Sequence, residues 1–408
     1  MKNLNYFLLL SFLLLFVACS KYEYDLNEYN QYYNYTRTND YSKLGNLNFS
    51  IISKNKISVN DFSGIIKAPL YFGDDNFILA TGNSKIIYLN KDSILWSFDL
   101  ESINSLSNIV ATKNKRIFFV GTDGYLYVLD KSGKLINKTF INLDSNKYLL
   151  VSEPLAFENQ IYIGTDDGYM FKIDTNGNII NKKKFDLSIN SVFSSDGKNK
   201  LFVGLTNNEY NKTDTLLVLD LELNILKTIP LEGQRIIAPI VFKNDNIYLA
   251  GSKRTLEGIS SDIICISNNF EIKWRNSIPL ICTQLSVDDN NLYVAGISSG
   301  IGENLTGFFA YDNNGKEIWK NYMDIKIVSP LILGKKYLIF TATDENGAAA
   351  FALNKNKGTL TKRHFLTDDT PLYLIPSVSY NKDINLFGSQ ILLKLKITQT
   401  PLDKILPY

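Results

Sequence analysis

Hydrophobic and polar positions alternate over short runs along most of this chain, and one run is repeated. The segment 121–130 reads GTDGYLYVLD, and 164–174 repeats it almost letter for letter as GTDDGYMFKID. Each copy follows an apolar run and precedes a polar turn that contains glycine. Alternation of this kind is typical of half-buried strands, and Asp and Gly supply the tight connections between them. The pattern predicts a β-meander, and a repeat of this length built from short strands indicates a propeller or an array.

The same pair of strands, the second and third of each meander, is predicted eight times. The predicted second strands are 77–80, 117–120, 161–163, 201–203, 247–250, 292–295, 338–341 and 384–387. The predicted third strands are 86–89, 126–129, 170–173, 216–219, 263–266, 308–311, 349–353 and 391–395. Fourth strands follow in every unit except the last, where Pro401 and Pro407 interrupt the chain.

A further strand at 47–52 precedes the first unit, and we expect it to complete the last blade. Closing the ring in this way leaves only short, protected sheet edges. The fold expected from the sequence is therefore an all-β, eight-bladed propeller of four-stranded antiparallel blades, closed by an N-terminal strand.

The N-terminal residues 1–19 have the pattern of an export signal. A short apolar run ends in Phe16-Val17-Ala18-Cys19-Ser20, which resembles the lipobox of bacterial lipoproteins, where the cysteine is acylated and becomes the mature N-terminus. The alternatives are a plain secretory signal or a buried helix with a chance cysteine. Residues 20–45 are polar and rich in Tyr and Asn, and we interpret them as a tether. Their tyrosines leave open a surface for carbohydrate or lipid headgroups. The propeller domain is expected over 46–408.

The repeats resemble the PQQ-type propeller repeat. The matching stretches are 120–130, 163–174 and the GKEIW segment at 315–319, and the resemblance covers about 47–396. It is specific to the repeat and not to an activity. A lipoprotein of this length with such repeats is similar to the BamB family, the scaffolds of outer-membrane β-barrel assembly. That resemblance implies a non-catalytic scaffold in the bacterial envelope.

Charge and candidate chemistry narrow the classes of function. There are 43 basic and 41 acidic residues, so the balance gives no argument for binding nucleic acid. Quinoprotein dehydrogenases share the repeat but carry adjacent cysteines, which are absent here; Cys265 and Cys282 are predicted to be buried, and a disulfide between them stays open. His364 is the single histidine and is expected on the surface or at a strand end. The paired acids at 74–75, 166–167 and 288–289 fall in turns, where Asp bonds the backbone. We therefore expect no enzyme activity, no metal and no cofactor.

The connections between second and third strands lengthen at 206–214, 252–261 and 297–306. In a meander these connections emerge on one face with the links between blades, and loop rims are where propellers usually bind partners. The alternative is that insertions are simply tolerated there. The residues predicted to bind a partner are Arg235, Lys253, Arg254, Leu256 and Glu257, and the residue predicted to carry lipid is Cys19.

Two classes of function remain open from the sequence. The first is a monomeric scaffold, lipid-anchored at the outer membrane and facing the periplasm, that docks another envelope protein such as a β-barrel assembly component. The second is a propeller that binds a small ligand or glycan, or a degenerate quinoprotein-type enzyme.

Overall fold

The computed structural model of the 408-residue chain describes most of residues 67–367 and four short segments, 49–56, 375–378, 384–387 and 391–397. The gaps within 67–367 are 74–75, 91–92, 102, 106, 142–150, 190, 207–212, 232–233, 237, 256–257, 301–303 and 328. Side chains are described within 67–366 outside these gaps, except at 254 and 255. In this part of the chain, no helix combines the length and apolarity needed to cross a bilayer.

Short β-strands make up nearly all of the regular structure. In chain order they are β1 (Phe49–Lys56), β2 (Leu70–Gly73), β3 (Asn76–Thr81), β4 (Lys85–Asn90), β5 (Ser93–Asp99), β6 (Val110–Ala111), β7 (Ile117–Val120), β8 (Tyr125–Leu129), β9 (Leu135–Phe140), β10 (Leu155–Phe157), β11 (Gln160–Gly164), β12 (Tyr169–Ile173), β13 (Ile179–Lys184), β14 (Ser194–Ser195), β15 (Lys200–Leu205), β16 (Thr215–Asp220), β17 (Ile225–Pro230), β18 (Arg235–Ile236), β19 (Val241–Lys243), β20 (Asn246–Thr255), β21 (Gly258–Ser267), β22 (Ile272–Ile278), β23 (Ile281–Val287), β24 (Asn291–Ile297), β25 (Leu305–Asp312), β26 (Glu317–Asp324), β27 (Lys326–Ile327), β28 (Ile332–Leu333), β29 (Tyr337–Asp344), β30 (Gly347–Asn354), β31 (Leu360–Thr367), β32 (Ile375–Val378), β33 (Ile384–Phe387) and β34 (Ile391–Ile397).

Seven sheets of consecutive antiparallel strands form seven blades, numbered one to seven in chain order. They are β2–β5, β6–β9, β10–β13, β14–β17, β18–β22, β23–β26 and β27–β31. Within each blade the chain runs from the innermost strand to the outermost strand. The all-β architecture of antiparallel meanders agrees with the alternation in the sequence.

The expectation of an eight-bladed propeller is corrected to seven blades, counted as sheets whose packed side chains are described. The strands β32, β33, β34 and β1 do form another hydrogen-bonded sheet, the terminal sheet, and its β32 lies beside β2 and β29. No side chain of the terminal sheet is described, so it has no demonstrated core and is not counted. A sequence repeat predicts hydrogen-bonded meanders, whereas a blade is defined by a core packed against its neighbours.

The blades are four-stranded antiparallel meanders, as expected. In blades five and seven the innermost strand is broken in two, so that each of these sheets has five separate strand segments. In blade five, β18 and β19 both pair with β20, and Pro239 lies between them. In blade seven, β27 and β28 both pair with β29, with Pro330 between them. Proline has no N–H to donate, so a strand ladder is interrupted at this point.

The core lies between neighbouring blades. Inner strands are buried along their whole length, as in β7, whereas outer strands alternate between covered and exposed residues, as in β13. One cluster joins Ile163 and Phe171 of blade three to residues of blades one and two, and another joins Phe202 of blade four to Ile264 of blade five. Each blade therefore buries one face against the previous blade and the other face against the next.

Hydrogen bonds from outer strands fasten blades one, two, three, five and six to the blade that follows. Tryptophan indoles of blades one, five and six donate to carbonyls in the following blade's turn, and asparagines at the equivalent position do so in blades two and three. The pairs are Trp96 Nε1 to Lys131 O (3.1 Å), Asn137 Nδ2 to Asn176 O (2.8 Å), Asn181 Nδ2 to Glu222 O (2.7 Å), Trp274 Nε1 to Asn313 O (3.2 Å) and Trp319 Nε1 to Lys355 O (2.7 Å). We call these donors the blade fasteners.

A glycine makes room for the fastener in blade five. Gly315 lies at φ 82°, and a Cβ there would come within 2.6 Å of the Trp274 ring. Glycine accepts this backbone conformation without strain. The glycine of the GKEIW motif is therefore explained by the turn and by the indole that lies over it.

The ring has two edges. At the lower edge the third strand of each blade turns into the fourth, and at the upper edge the second strand turns into the third. The links between blades also lie at the upper edge, since Arg235 at the start of β18 pairs with Ser252 near the far end of β20.

Candidate partner-binding site at the upper edge of blade five

The hairpin of β20 and β21 is the longest second-to-third-strand hairpin among the described residues. Each strand has ten residues, and the pairing is continuous from Asn246↔Ser267 to Thr255↔Gly258. The segment 252–261, expected to be a long loop, is therefore mostly paired strand. Of the other two long connections, 207–212 and 301–303 lie outside the described residues.

A buried carboxylate organises the base of this hairpin. Asp262 is 1% exposed and lies opposite Gly251 on one side and Ser277 on the other. Its Oδ1 accepts hydrogen bonds from Lys253 Nζ at 2.9 Å and from Ser277 Oγ. Its Oδ2 accepts one from Gln234 Nε2 at 2.9 Å. A charge taken out of water requires such partners, and here several donors surround it.

Arg275 adds a second cation, with its guanidinium 3.8 Å from Asp262 Oδ2. The side chains of Lys253 and Arg275 are each 36% exposed. The carboxylate is therefore buried while both cationic partners reach the surface. We call Gln234, Lys253, Asp262, Arg275 and Ser277 the Asp262 cluster.

The link from blade four also enters this cluster. Gln234 is 3% exposed, and its Oε1 has no hydrogen-bond partner. A Cβ on Gly251 would lie 2.7 Å from the Cβ of Gln234, so the absence of a side chain at Gly251 admits the glutamine. Asp214 of blade four is fully buried and accepts a hydrogen bond from the Ile236 N–H at 2.9 Å. The upper edge between blades four and five is thus built around two buried carboxylates.

Two of the five residues predicted to bind a partner have described side chains. Arg235 is exposed and directly follows Gln234 of the cluster in sequence, and Lys253 belongs to the cluster. Arg254 lies in β20, but its side chain is not described; Leu256 and Glu257 lie outside the described residues, as does Cys19.

Sequence reasoning missed Asp262, Gln234 and Arg275. Asp262 directly precedes the apolar run IICI at 263–266 and therefore resembles an aspartate in a turn. The sequence did contain one signal. Asp262 is a single acidic residue before an apolar strand, and basic residues lie earlier in its hairpin and on the strand after the hairpin.

The cysteines and the histidine considered as candidate sites from the sequence lie in strands of the propeller. Cys265 and Cys282 are both free and buried, and burial raises the pKa of the Cys265 thiol to about 11 and of the Cys282 thiol to about 12. His364 lies within β31 and is partly exposed. Its pKa is lowered, mainly by partial burial and to a smaller extent by the positive charge of Lys362. The pair 74–75 lies outside the described residues. Within the residues that the structure describes, no group of three or more His, Cys, Asp or Glu is placed to hold a metal.

The fold defines a β-propeller, and comparison with solved structures agrees. BamB from Moraxella catarrhalis is 13% identical, with a TM-score of 0.61 over 86% of this chain and 100% of its own. Sqt1 from Saccharomyces cerevisiae is 11% identical, with a TM-score of 0.64 over 86% of this chain and 99% of its own. The Dos1 propeller is 12% identical, with a TM-score of 0.63 over 86% and 96%.

No family model matches the chain, and no curated protein matches its sequence. The similarity to BamB is a similarity of the propeller, so the chain has a BamB-like propeller fold. At these identities the solved structures establish nothing beyond that fold.

Proposed function

We propose that the protein is a non-catalytic scaffold of the bacterial envelope that binds a protein partner through the upper edge of blade five. The observation that carries this proposal is the Asp262 cluster. Its buried carboxylate fixes Lys253 and Arg275 in place while leaving both partly exposed, and the exposed Arg235 directly follows Gln234 of the cluster in sequence. Arginine held in a defined position commonly contributes much of the energy of an interface. The matching surface on the partner would be acidic.

The rest of the proposal concerns location. Cys19 carries the lipid, and residues 20–45 tether the propeller at the outer membrane on its periplasmic side. The similarity of fold to BamB supports a role alongside a β-barrel assembly component, as a monomer that needs no cofactor. The lipobox pattern at Phe16–Ser20 supports the anchor.

The test is capture of the envelope partner by crosslinking in cells that produce the acylated protein. We expect the double variant Arg235→Gln, Arg275→Gln to lose most of the captured partner, because it removes two cations that would face an acidic surface. The matched control is Lys113→Gln with Lys198→Gln, two exposed lysines in the first-to-second-strand turns of blades two and four. The control is expected to capture as well as the parent.

Circular dichroism of both variants separates binding from folding, since exposed substitutions usually change stability by only about 0.5 kcal/mol. Equal capture by the two double variants, with both folded, would remove the upper edge of blade five as the interface.

A further inference from the structure

The exposed aliphatic side chains concentrate at the lower edge. Thirteen large hydrophobic residues among the described ones are exposed, and nine of them lie within the first three residues of an outermost strand. These nine are Ile94, Leu95, Leu135, Ile180, Ile225, Leu226, Ile272, Ile318 and Leu360. Every blade from one to seven contributes at least one, so together they form a band around the ring, which we call the aliphatic collar.

The exposure of the collar is large at several points. Leu95 is 54% exposed, Ile180 is 50% exposed and Leu226 is 49% exposed. Scattered single hydrophobic residues on a surface are ordinary, but a set aligned along one edge indicates a surface that meets an apolar environment.

The outer strands above the collar are basic. The strands β5, β9, β13, β17, β22, β26 and β31 together carry ten Lys or Arg and three Asp or Glu, although the whole chain is nearly balanced at +2. On β13, Lys182 follows Ile180 on the same exposed face, whereas Lys184 lies at the upper end of the strand and donates to the Asp167 carbonyl. Long cationic side chains beside apolar residues are suited to an interface where lipid tails give way to anionic headgroups.

Several aspartates of the lower turns are engaged with the backbone, whereas Glu222 and Glu271 in these turns are exposed. Asp130 accepts the N–H groups of Ser132 and Lys134, and Asp174 accepts those of Asn176 and Asn178. Their charges are therefore directed into the turns and not outward from the collar.

The N-terminal part of the chain enters at the same edge. The terminal sheet has the strand order of a blade, with β1 outermost, and Phe49 of β1 pairs with Ile397, the last residue of β34. The third strand of a blade ends at the lower edge. Residues 1–48, which contain Cys19, therefore join the propeller next to the collar.

We propose that the aliphatic collar rests on the surface of an anionic lipid bilayer, so that the propeller stands on its lower edge and directs blade five's upper edge away from the membrane. This inference rests on the lipid anchor of the proposed function. An anchor of this kind keeps the collar near the lipid and raises its effective concentration there. Weak contact by each aliphatic residue is then sufficient for stable docking.

The tryptophans provide the readout. Trp96, Trp274 and Trp319 account for all three tryptophans of the chain, and each lies one or two residues from a collar residue. The acylated full-length protein is reconstituted on vesicles of phosphatidylethanolamine and phosphatidylglycerol whose acyl chains are brominated near the headgroup. We expect tryptophan emission to fall relative to vesicles without bromine, because bromine quenches only at short range.

The collar variant is Ile180→Gln, Leu226→Gln, Leu360→Gln, in which no changed residue lies next to a tryptophan. We expect it to lose the quenching while still sedimenting with the vesicles through its lipid. The matched control is Phe140→Gln, Leu305→Gln, Phe365→Gln, three exposed hydrophobic residues outside the collar. The control should be quenched as strongly as the parent.

Each result identifies what has failed. If the parent protein does not sediment with the vesicles, the lipid anchor is contradicted. If the parent protein captures no partner in cells, the scaffold function is contradicted. Sedimentation without bromine quenching would overturn the collar proposal alone, as would equal quenching of the collar variant and the control. Equal quenching on vesicles of phosphatidylcholine would overturn the requirement for anionic lipid.

Discussion

Blades two and five are built from the same meander, but they place their charges differently. In blade two the tight turn at 121–124 holds Asp123, which accepts the Tyr127 hydroxyl at 2.8 Å and pairs with Lys138 at 2.9 Å. The side chain of Asp123 is 19% exposed, so water reaches this pair. In blade five the longer hairpin covers Asp262, whose side chain is 2% exposed. Lengthening one hairpin thus changes a solvated ion pair into a buried cluster that orients two surface cations.

The first test of this comparison removes each carboxylate. We expect Asp262→Ala to destabilise the protein by about 3 kcal/mol, because it leaves the buried Gln234 amide without its acceptor, whereas Lys253 regains water. We expect Asp123→Ala to cost about 1 kcal/mol or less, since Lys138 regains water. Urea denaturation of both variants measures the difference.

Asp262→Asn is the control for that pair, since it keeps an acceptor and removes the charge, and it should fall between the parent and Asp262→Ala. Equal losses for Asp123→Ala and Asp262→Ala would show that burial does not distinguish the two blades.

The second test compares the blade fasteners. Trp274 of blade five and Asn137 of blade two occupy the same register position, opposite Cys265 and Val128. We expect Trp274→Ala to cost about 3 kcal/mol, since the half-buried ring packs against the turn of Gly315. We expect Asn137→Ala to cost about 1 kcal/mol, the usual value of one hydrogen bond. Thermal unfolding monitored by circular dichroism ranks them.

Trp274→Phe separates the ring from its N–H, and we expect it to retain most of the stability. A loss as large as that of Trp274→Ala would assign the stabilisation to the hydrogen bond instead of the packing.

The smallest expected effect concerns acid. The Ser132 hydroxyl and the neighbouring N–H groups lower the pKa of Asp130 in the lower turn of blade two. Because the folded pKa lies below the unfolded value, Asp130 stabilises the fold above pH 3.8 and this stabilisation is lost as the pH falls below that value. Asp130→Asn should therefore be less sensitive to acid than the parent when melting is followed from pH 6 to pH 3.

Blade five supplies the reciprocal change, because Ser267 occupies the position of Asp130 and accepts the Glu271 N–H. Ser267→Asp should make the melting temperature more sensitive to acid. An unchanged pH profile for both variants would contradict the role given to the turn aspartate.

The meanders could be predicted from the sequence because their strands and turns are determined by local residue patterns. The alternation at 121–130 predicted β8, and the GTD turns placed the hairpins correctly. The breaks of the inner strands at Pro239 and Pro330 were not predicted, although proline is a local signal for them. The number of packed blades was not predicted either, because it depends on contacts between sheets. The burial of Asp262 was missed for the same reason. Its partners Gln234 and Ser277 come from segments on either side in sequence, and only the sheet brings them together.

The blade fasteners have a consequence for how this sequence could diverge. A fastener needs one N–H donor of suitable reach opposite a turn carbonyl, and both an indole and a carboxamide meet that need within this chain. A propeller whose blades are joined by hydrogen bonds of this kind can keep its fold while its amino-acid sequence changes. The fold is shared at 11–13% identity with solved propellers, although no family model matches the sequence.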